Sequence, residues 1–242
     1  MPATPKVTLF IQCLIDGLYP EVGEAVVRIF EKLDVPLSYP SKQTCCGQPA
    51  FNSGYRKEAT IAAKRFIGIF ENSEAIVCPS GSCVNMVRNH YPELFQKDSE
   101  WLLKAQKVGA KTFELTQYLV DILGQQDFGA RYKGKITYHD SCHLLRGLGV
   151  SEQPRQLIRN VRQIEFVEMK AADYCCGFGG AFAFKYPEIS TAMVDEKIKN
   201  IQESGADTVV GCDMGCLMNI QGRLSRQNLK INVMHIAQLI AG

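Results

Sequence analysis

Ten cysteines are the side chains of this 242-residue chain best suited to chemistry, and their spacing repeats. Cys13, the doublet Cys45-Cys46 with Gly47 after it, and Cys83 reappear as Cys142, Cys175-Cys176-Gly177 and Cys216. The offset is 129 from Cys13 to Cys142, 130 between the doublets and 133 from Cys83 to Cys216. A doubled cysteine found twice at one phase marks an internal duplication. Four thiolates are the usual protein contribution to an iron–sulfur cluster. Zinc is the competing metal, but structural zinc sites draw their ligands from closely spaced pairs. Here one ligand stands alone and two are adjacent, which strains a single small tetrahedron and suits a cluster whose irons take one thiolate each. Thiol–disulfide exchange at Cys45-Cys46 or Cys175-Cys176 ranks last, because a vicinal disulfide closes a strained ring.

Other residues near the cysteines add to this set. Gly47, Gly177, Gly179 and Gly180 let the backbone approach an inorganic core and aim N–H groups at its sulfurs; the plainer role is a tight strand-to-helix turn. Gly177-Phe178-Gly179-Gly180 lacks the spacing of a dinucleotide fingerprint. His139 and His143 flank Cys142, and Arg146 lies one helical turn beyond it. These three side chains suit hydrogen bonding to cluster sulfur, tuning of its potential, or proton supply. A satisfied core histidine explains His139 equally well. The first half has Phe10 and Gly17 near the matching positions, with no imidazole. His90 before Tyr91-Pro92 suits a helix cap, and His235 a structural place at the start of the last helix. Met86, Met214 and Met218 read as core filler, and Trp101 as part of an exposed connecting segment.

Strands alternating with helices must position these groups. Val7 to Phe10 is β-rich, and Val22, Ala25, Val26, Ile29, Phe30 and Leu33 follow at helical spacing. Val35 to Tyr39 reads as a second strand. Ala59, Ala62, Ala63, Phe66, Ile69 and Phe70 mark a second helix, and Ala75 to Val77 a third strand. The second half repeats this with Ile136 to Tyr138, Ile164 to Val167, Val194, Ile198 and Ile201, then Val209 and Val210. Gln117 to Ile122 is loosely echoed by His235 to Ile240. The expected fold is α/β, in two pseudo-symmetric halves that are each a small, mostly parallel sheet flanked by helices. Residues 1–125 and 130–242 form the two domains, joined through Gly124–Gly129. In open α/β sheets ligands collect beyond the carboxyl ends of the strands, where each cysteine of the repeat falls.

Composition excludes several classes. Hydrophobic residues make up 46% and charged residues 21%, an ordinary globular balance. The formal net charge is +2, with 27 Lys and Arg dispersed among 25 Asp and Glu, so a nucleic-acid stripe is absent. No apolar stretch approaches the ~18 residues of a membrane span. Met1 to Lys6 lacks the features of a secretory signal, and the expected location is the cytoplasm. In that reducing compartment the cysteines should not persist as structural disulfides. No nicotinamide or flavin motif is visible.

Cys13…Cys45-Cys46-Gly47…Cys83 and Cys142…Cys175-Cys176-Gly177…Cys216 resemble the doubled cysteine-rich CCG domain family. Its members include the cysteine-rich subunit of heterodisulfide reductase, the iron–sulfur subunit of glycolate oxidase and subunits of L-lactate utilization complexes. Cys45-Cys46-Gly47-Gln48-Pro49-Ala50, Asn52-Ser53-Gly54-Tyr55, Gly81-Ser82-Cys83 and Met234-His235-Ile236-Ala237 most resemble the lactate-utilization members. The resemblance implies an electron-transfer subunit of a complex oxidising L-lactate to pyruvate, with other iron–sulfur subunits as partners and peripheral membrane association through them. A glycolate oxidase-like or heterodisulfide reductase-like complex is the alternative, as is a zinc-binding assembly module. The implied cofactor is an iron–sulfur cluster of the [4Fe-4S] type, one per half, on Cys13, Cys45, Cys46 and Cys83 and on Cys142, Cys175, Cys176 and Cys216. The heterodisulfide reductase relative uses five cysteines per cluster, the last two separated by two residues. Here four residues separate Cys78 from Cys83 and three separate Cys212 from Cys216. With the last cysteines aligned, Cys78 falls opposite Gly211, so the expectation is four ligands per half, with Cys78 and Cys212 left unassigned.

Overall fold

A computed structural model describes residues 6–242. Met1–Pro5, on which the reading of the N-terminus partly rests, lie outside the described residues. Two four-stranded sheets carry the chain. The first holds β1 (Val7–Leu9), β2 (Leu37–Ser38), β3 (Ala75–Cys78) and β4 (Thr112–Glu114) in the order β2-β1-β3-β4. The second holds β5 (Arg131–His139), β6 (Arg162–Phe166), β7 (Thr208–Gly211) and β8 (Asn232–His235) in the order β6-β5-β7-β8. All of these pairings are parallel. Helices cover both faces, so β3 and β7 are buried along their whole length and consist mainly of small and β-branched residues.

The helices follow the spacing that predicts them. The helix Pro20–Lys32 starts with proline in its first turn and buries Val22, Ala25, Val26, Ile29 and Phe30. The helix Arg56–Phe70 buries Ala59, Ala63, Phe66, Ile67 and Phe70. Its counterpart Pro187–Glu203 buries Ser190, Val194, Lys197, Ile198 and Ile201, each 131 residues further on. Strand register fixes the equivalence of the halves. Leu9 pairs with Val77 as Tyr138 pairs with Val210. Phe10 and His139 therefore occupy matching places, as do Cys78 and Gly211.

Several expectations are corrected. The second strand is only Leu37–Ser38, because Pro36 and Pro40 bracket it and have no N–H for a ladder. Each sheet has a fourth strand, too short in β4 to leave a period-2 signal. That strand shifts the late echo by three residues: Glu114 and His235 are the equivalent helix caps, and Leu115 rather than Tyr118 matches Ile236. Trp101 is not in a connecting segment. It lies in the helix Ser99–Ala110 and stacks on Phe95 at 5.8 Å. His90 stands at the N-cap of the helix Tyr91–Leu94, but its side chain makes no capping bond; its ring meets Asn85 at 3.2 Å and Glu93 at 3.0 Å. Met86 and Met214 are core residues, whereas Met218 is only half-buried.

The halves share one hydrophobic core. Val7, Leu9, Val26 and Phe30 from the first half cluster with Tyr138, Leu157, Ile236 and Ile240 from the second. The segment Gly124–Gly129 carries no helix or strand. Among the described residues, no helix is long and apolar enough to cross a membrane.

Candidate metal centre

Each thiol is delivered by a strand end. Beyond β1 the Gln12 carboxamide accepts the Leu14 N–H at 2.8 Å, starting the helix Cys13–Leu18 on its first cysteine. Beyond β2 comes Cys45-Cys46, and beyond β3 Ser80 caps the helix Gly81–Asn85 through the Cys83 N–H at 3.3 Å. The second half repeats the plan with Cys142 after β5, Cys175-Cys176 after β6 and Cys216 after β7.

The doublet is held in a backbone conformation that glycine permits. Gly47 and Gly177 have φ of +87° and +80°, in the left-handed region. A Cβ on Gly177 would lie 2.6 Å from the Ser190 carbonyl oxygen. Gly47 and Gly177 each donate an N–H, at 3.4 Å, to the sulfur of the first cysteine of the doublet. The carbonyl of the second is pinned too, at Cys46 by the Tyr91 hydroxyl and at Cys176 by the Asn219 amide, both at 2.8 Å. Gly179 also has a positive φ and lines the same cavity.

In the first half the thiols follow one another in series, and neighbours perturb each other's ionisation: Cys13 with Cys45, Cys45 with Cys46, Cys46 with Cys83, and Cys83 with Cys78. The Cys46 and Cys83 sulfurs are 3.5 Å apart, far beyond a disulfide. Two thiolates on one tetrahedral metal, each at about 2.3 Å, sit about 3.8 Å apart. In the second half the series runs from Cys142 to Cys175, Cys176 and Cys216. All eight cysteines expected as ligands thus come together, four to each half. Cys78 joins the first group. Cys212 joins neither: its sulfur faces the Tyr138 hydroxyl at 3.3 Å inside the shared core.

Electrostatics are polarised along each series. Hydrogen bonding from Cys13 and then Cys46 draws the Cys45 thiol well below its usual range, and Cys142 and then Cys176 do the same to Cys175. Their donors Cys13 and Cys142 are pushed up in return. Burial and neighbouring thiolates oppose further ionisation, a balance that a bound cation reverses. The thiols, the glycine N–H groups and the separations fit a thiolate-bound metal.

Both groups open onto one cavity of about 160 Å³, lined by Cys13, Cys45, Cys46 and Cys83 on one side and by Cys142, Cys175, Cys176 and Cys216 on the other. Asp213 lies between them, nearly buried. It occupies the position equivalent to Ser80, the cap of its own helix, yet its side chain makes no bond to that helix. Instead it accepts the Ser82 N–H at 2.8 Å and the hydroxyls of Ser82 at 2.7 Å, Ser80 at 3.0 Å and Ser141 at 3.0 Å. His143 lines the cavity with its Nδ1 3.7 Å from the Cys142 sulfur. Arg146 is exposed, donates to the Asp173 carbonyl at 3.4 Å, and does not line the cavity.

The second half differs behind its thiols. His139 is buried and, among the described residues, neither ring nitrogen has a hydrogen-bond partner. Burial, reinforced by Lys197, lowers its pKa to about 3 and keeps the imidazole neutral. One ring nitrogen and the sulfurs of Cys176 and Cys216 all lie within 4.8 Å of one another. Lys197 is itself buried, donates to the Ala171 and Ala172 carbonyls at 2.9 Å, and is lowered to about 8 by burial. Sequence reasoning misses the roles of Asp213 and Lys197. An acidic residue three positions before Cys216, and a lysine on the apolar stripe of its helix, are the only signals.

Comparison with known proteins agrees with the repeat. Residues 7–88 and 136–221 each match the CCG cysteine-rich domain. The chain is 50% identical over 236 residues to lactate utilization protein A 2 of Bacillus cereus strain AH820, covering 98% of both chains. It is 52% identical over 235 residues to lactate utilization protein A of Geobacillus sp. strain WCH70, covering 97% of this chain and 98% of the relative. A solved structure of a hypothetical protein from Helicobacter pylori superposes with a TM-score of 0.67 at 8% identity. It matches 98% of this chain and 48% of that longer one, a likeness of fold. On the matched domains and these identities, the chain belongs to the CCG cysteine-rich domain family, in doubled form, alongside the lactate utilization A proteins.

Proposed function

We propose that this protein is the iron–sulfur electron-transfer subunit of a multi-subunit complex oxidising L-lactate to pyruvate, with one cluster in each half. Residues 1–125 and 130–242 act as the two cluster domains. The observation that carries the reading is the delivery of two matched sets of thiols from separate strand ends to opposite walls of one cavity. The names of the relatives direct it to lactate. An iron–sulfur cluster accepts and passes on single electrons at a potential set by hydrogen bonds and charge around its sulfurs. Cys13, Cys45, Cys46 and Cys83 hold the first and Cys142, Cys175, Cys176 and Cys216 the second. Gly47 and Gly177 aim N–H groups at the thiolate sulfurs, and the half-buried walls limit solvent. His143 orients the Cys142 thiolate. The Asp213 carboxylate holds the two walls in fixed relation, which an electron transfer across the cavity requires.

The test is anaerobic purification with iron and sulfide analysis and electron paramagnetic resonance. It is followed by reduction with L-lactate in the presence and absence of the partner subunits. About four irons per half and lactate-dependent reduction only with partners are expected. Colourless protein holding stoichiometric zinc after anaerobic reconstitution would overturn the reading in favour of an assembly module.

A further inference from the structure

We propose that His139 supplies a nitrogen donor to the metal centre of the second half, where the first half offers the thiol of Cys78. The inference rests on the metal-binding reading above and adds a ligand to it.

The two halves differ behind their thiols at three matched positions. In the first half, β1 runs into Phe10, which packs edge-on against Phe66 at 4.8 Å, and β3 ends in Cys78 beside Cys83. In the second half, Phe10 is matched by His139, Phe66 by Lys197 and Cys78 by Gly211. His139 pairs in register with Gly211, so the imidazole sits on the strand beside the one that has lost its thiol. The donor has moved one strand sideways.

An imidazole here has a cost that an aromatic ring lacks. Both ring nitrogens are buried without a partner, and an unsatisfied buried polar group costs about 1–3 kcal/mol. Phenylalanine at the same place in the first half shows that packing alone does not call for a polar ring. A metal ion bonded to one nitrogen removes that cost. The separations suit it, since one ring nitrogen and the sulfurs of Cys176 and Cys216 all lie within 4.8 Å. Nitrogen at about 2.0 Å and sulfur at about 2.3 Å from one ion can be no more than about 4.3 Å apart, a small adjustment from the present spacing. The remaining imidazole near the thiols, His143, is half-exposed and faces Cys142 instead.

The experiment uses the full-length protein, purified and reconstituted anaerobically, in natural abundance and with ¹⁵N-labelled histidine. Pulsed electron paramagnetic resonance on the iron-loaded protein should detect a nitrogen coupling that changes isotope with the label. It should vanish in His139→Phe, which copies the first half, and persist in His143→Gln. If the bound metal is zinc, X-ray absorption at its edge should give a light-atom neighbour at about 2.0 Å that His139→Phe removes. The labelled wild type needs no substitution, so a variant that fails to fold leaves the measurement intact. A metal-loaded protein with an all-sulfur protein shell, or a nitrogen signal abolished by His143→Gln and not by His139→Phe, overturns the assignment alone. A protein that binds no metal overturns both this assignment and the proposed function.

Discussion

The carboxylate of Asp213 accepts the backbone N–H of Ser82 at 2.8 Å, so a residue of the second half caps the first turn of a helix in the first. Replacing it removes the acceptor for that N–H and for three hydroxyls at once. Asp213→Ala should cost about 3 kcal/mol in the metal-free, reduced protein, since stranded buried donors each cost about 1–3 kcal/mol. At about 2–4 °C per kcal/mol for a chain of this size, the thermal midpoint should fall by roughly 6–12 °C. Asp213→Asn, which keeps one acceptor oxygen, should lose less. A midpoint within about 1 °C of wild type for Asp213→Ala would mean the contact is not the clamp described.

Arg155 is a second clamp, confined to the second half. Its guanidinium forks between Asp140, at 2.6 Å and 3.0 Å, and Glu168, and also reaches the Ser151 carbonyl at 2.8 Å. Against burial, these carboxylates raise its pKa and keep it charged. Removing one member of a buried ion pair typically costs about 3–5 kcal/mol, the loss expected for Arg155→Ala in urea unfolding. Arg155→Lys should recover little of it, because an ammonium cannot span both carboxylates. Full recovery by lysine would count against the fork.

Stability should fall as the pH drops below 7, with His235 as one identifiable cause. Burial holds its pKa down to about 4 in the folded chain, against an ordinary value near 6.5. The unfolded chain therefore binds a proton that the folded chain refuses between those values. The associated stability is complete above about pH 6.5, declines as pH falls, and is gone below about pH 4. Between pH 7 and pH 5 the loss from this group is about 2 kcal/mol. His235→Asn keeps a side chain able to cap the last helix and should flatten the profile over that interval. An unchanged slope in denaturant titrations at pH 5, 6 and 7 would remove His235 as the cause.

The two thiol groups should load separately. Cys45→Ser with Cys46→Ser should abolish the metal of the first half and leave about half of the total bound, and Cys175→Ser with Cys176→Ser should do the converse. Metal analysis after anaerobic reconstitution reads this directly. If either double variant emptied the whole protein, one centre shared across the cavity would replace the picture of two.

Much of the framework is legible in the cysteines themselves. A doublet needs a glycine behind it to turn the chain, and a parallel strand needs a helix to return it, so the repeat and the alternation carry the fold together. The helix Pro20–Lys32 is readable because five buried residues obey its period. What stays hidden depends on which strand lies beside which. Nothing local marks that Asp213 reaches across to Ser82 rather than capping its own helix, because the partner is 131 residues away. His139 reads as a core residue because its flanks are apolar, and only the register with Gly211 shows what it faces. Cys78 falls outside the spacing of the repeat, yet the bend from β3 into the next helix brings it beside Cys83. The shared cavity follows from the docking of two sheets, which no single segment encodes.

The final helix, Ile236–Ala241, closes over the helix Pro20–Lys32, and Lys32 donates to the Ala241 carbonyl. During synthesis, an amino-terminal half that has already left the ribosome must therefore wait for Ile236–Ala241 before this apolar face is covered. The interval is about 5–20 s for the roughly 110 residues between the end of that half and this helix at ordinary translation rates, long compared with the collapse of such a chain. The nascent first half is thus the stage at which a chaperone would find the most to hold, and removing Ile236–Ala241 would prolong that exposure indefinitely.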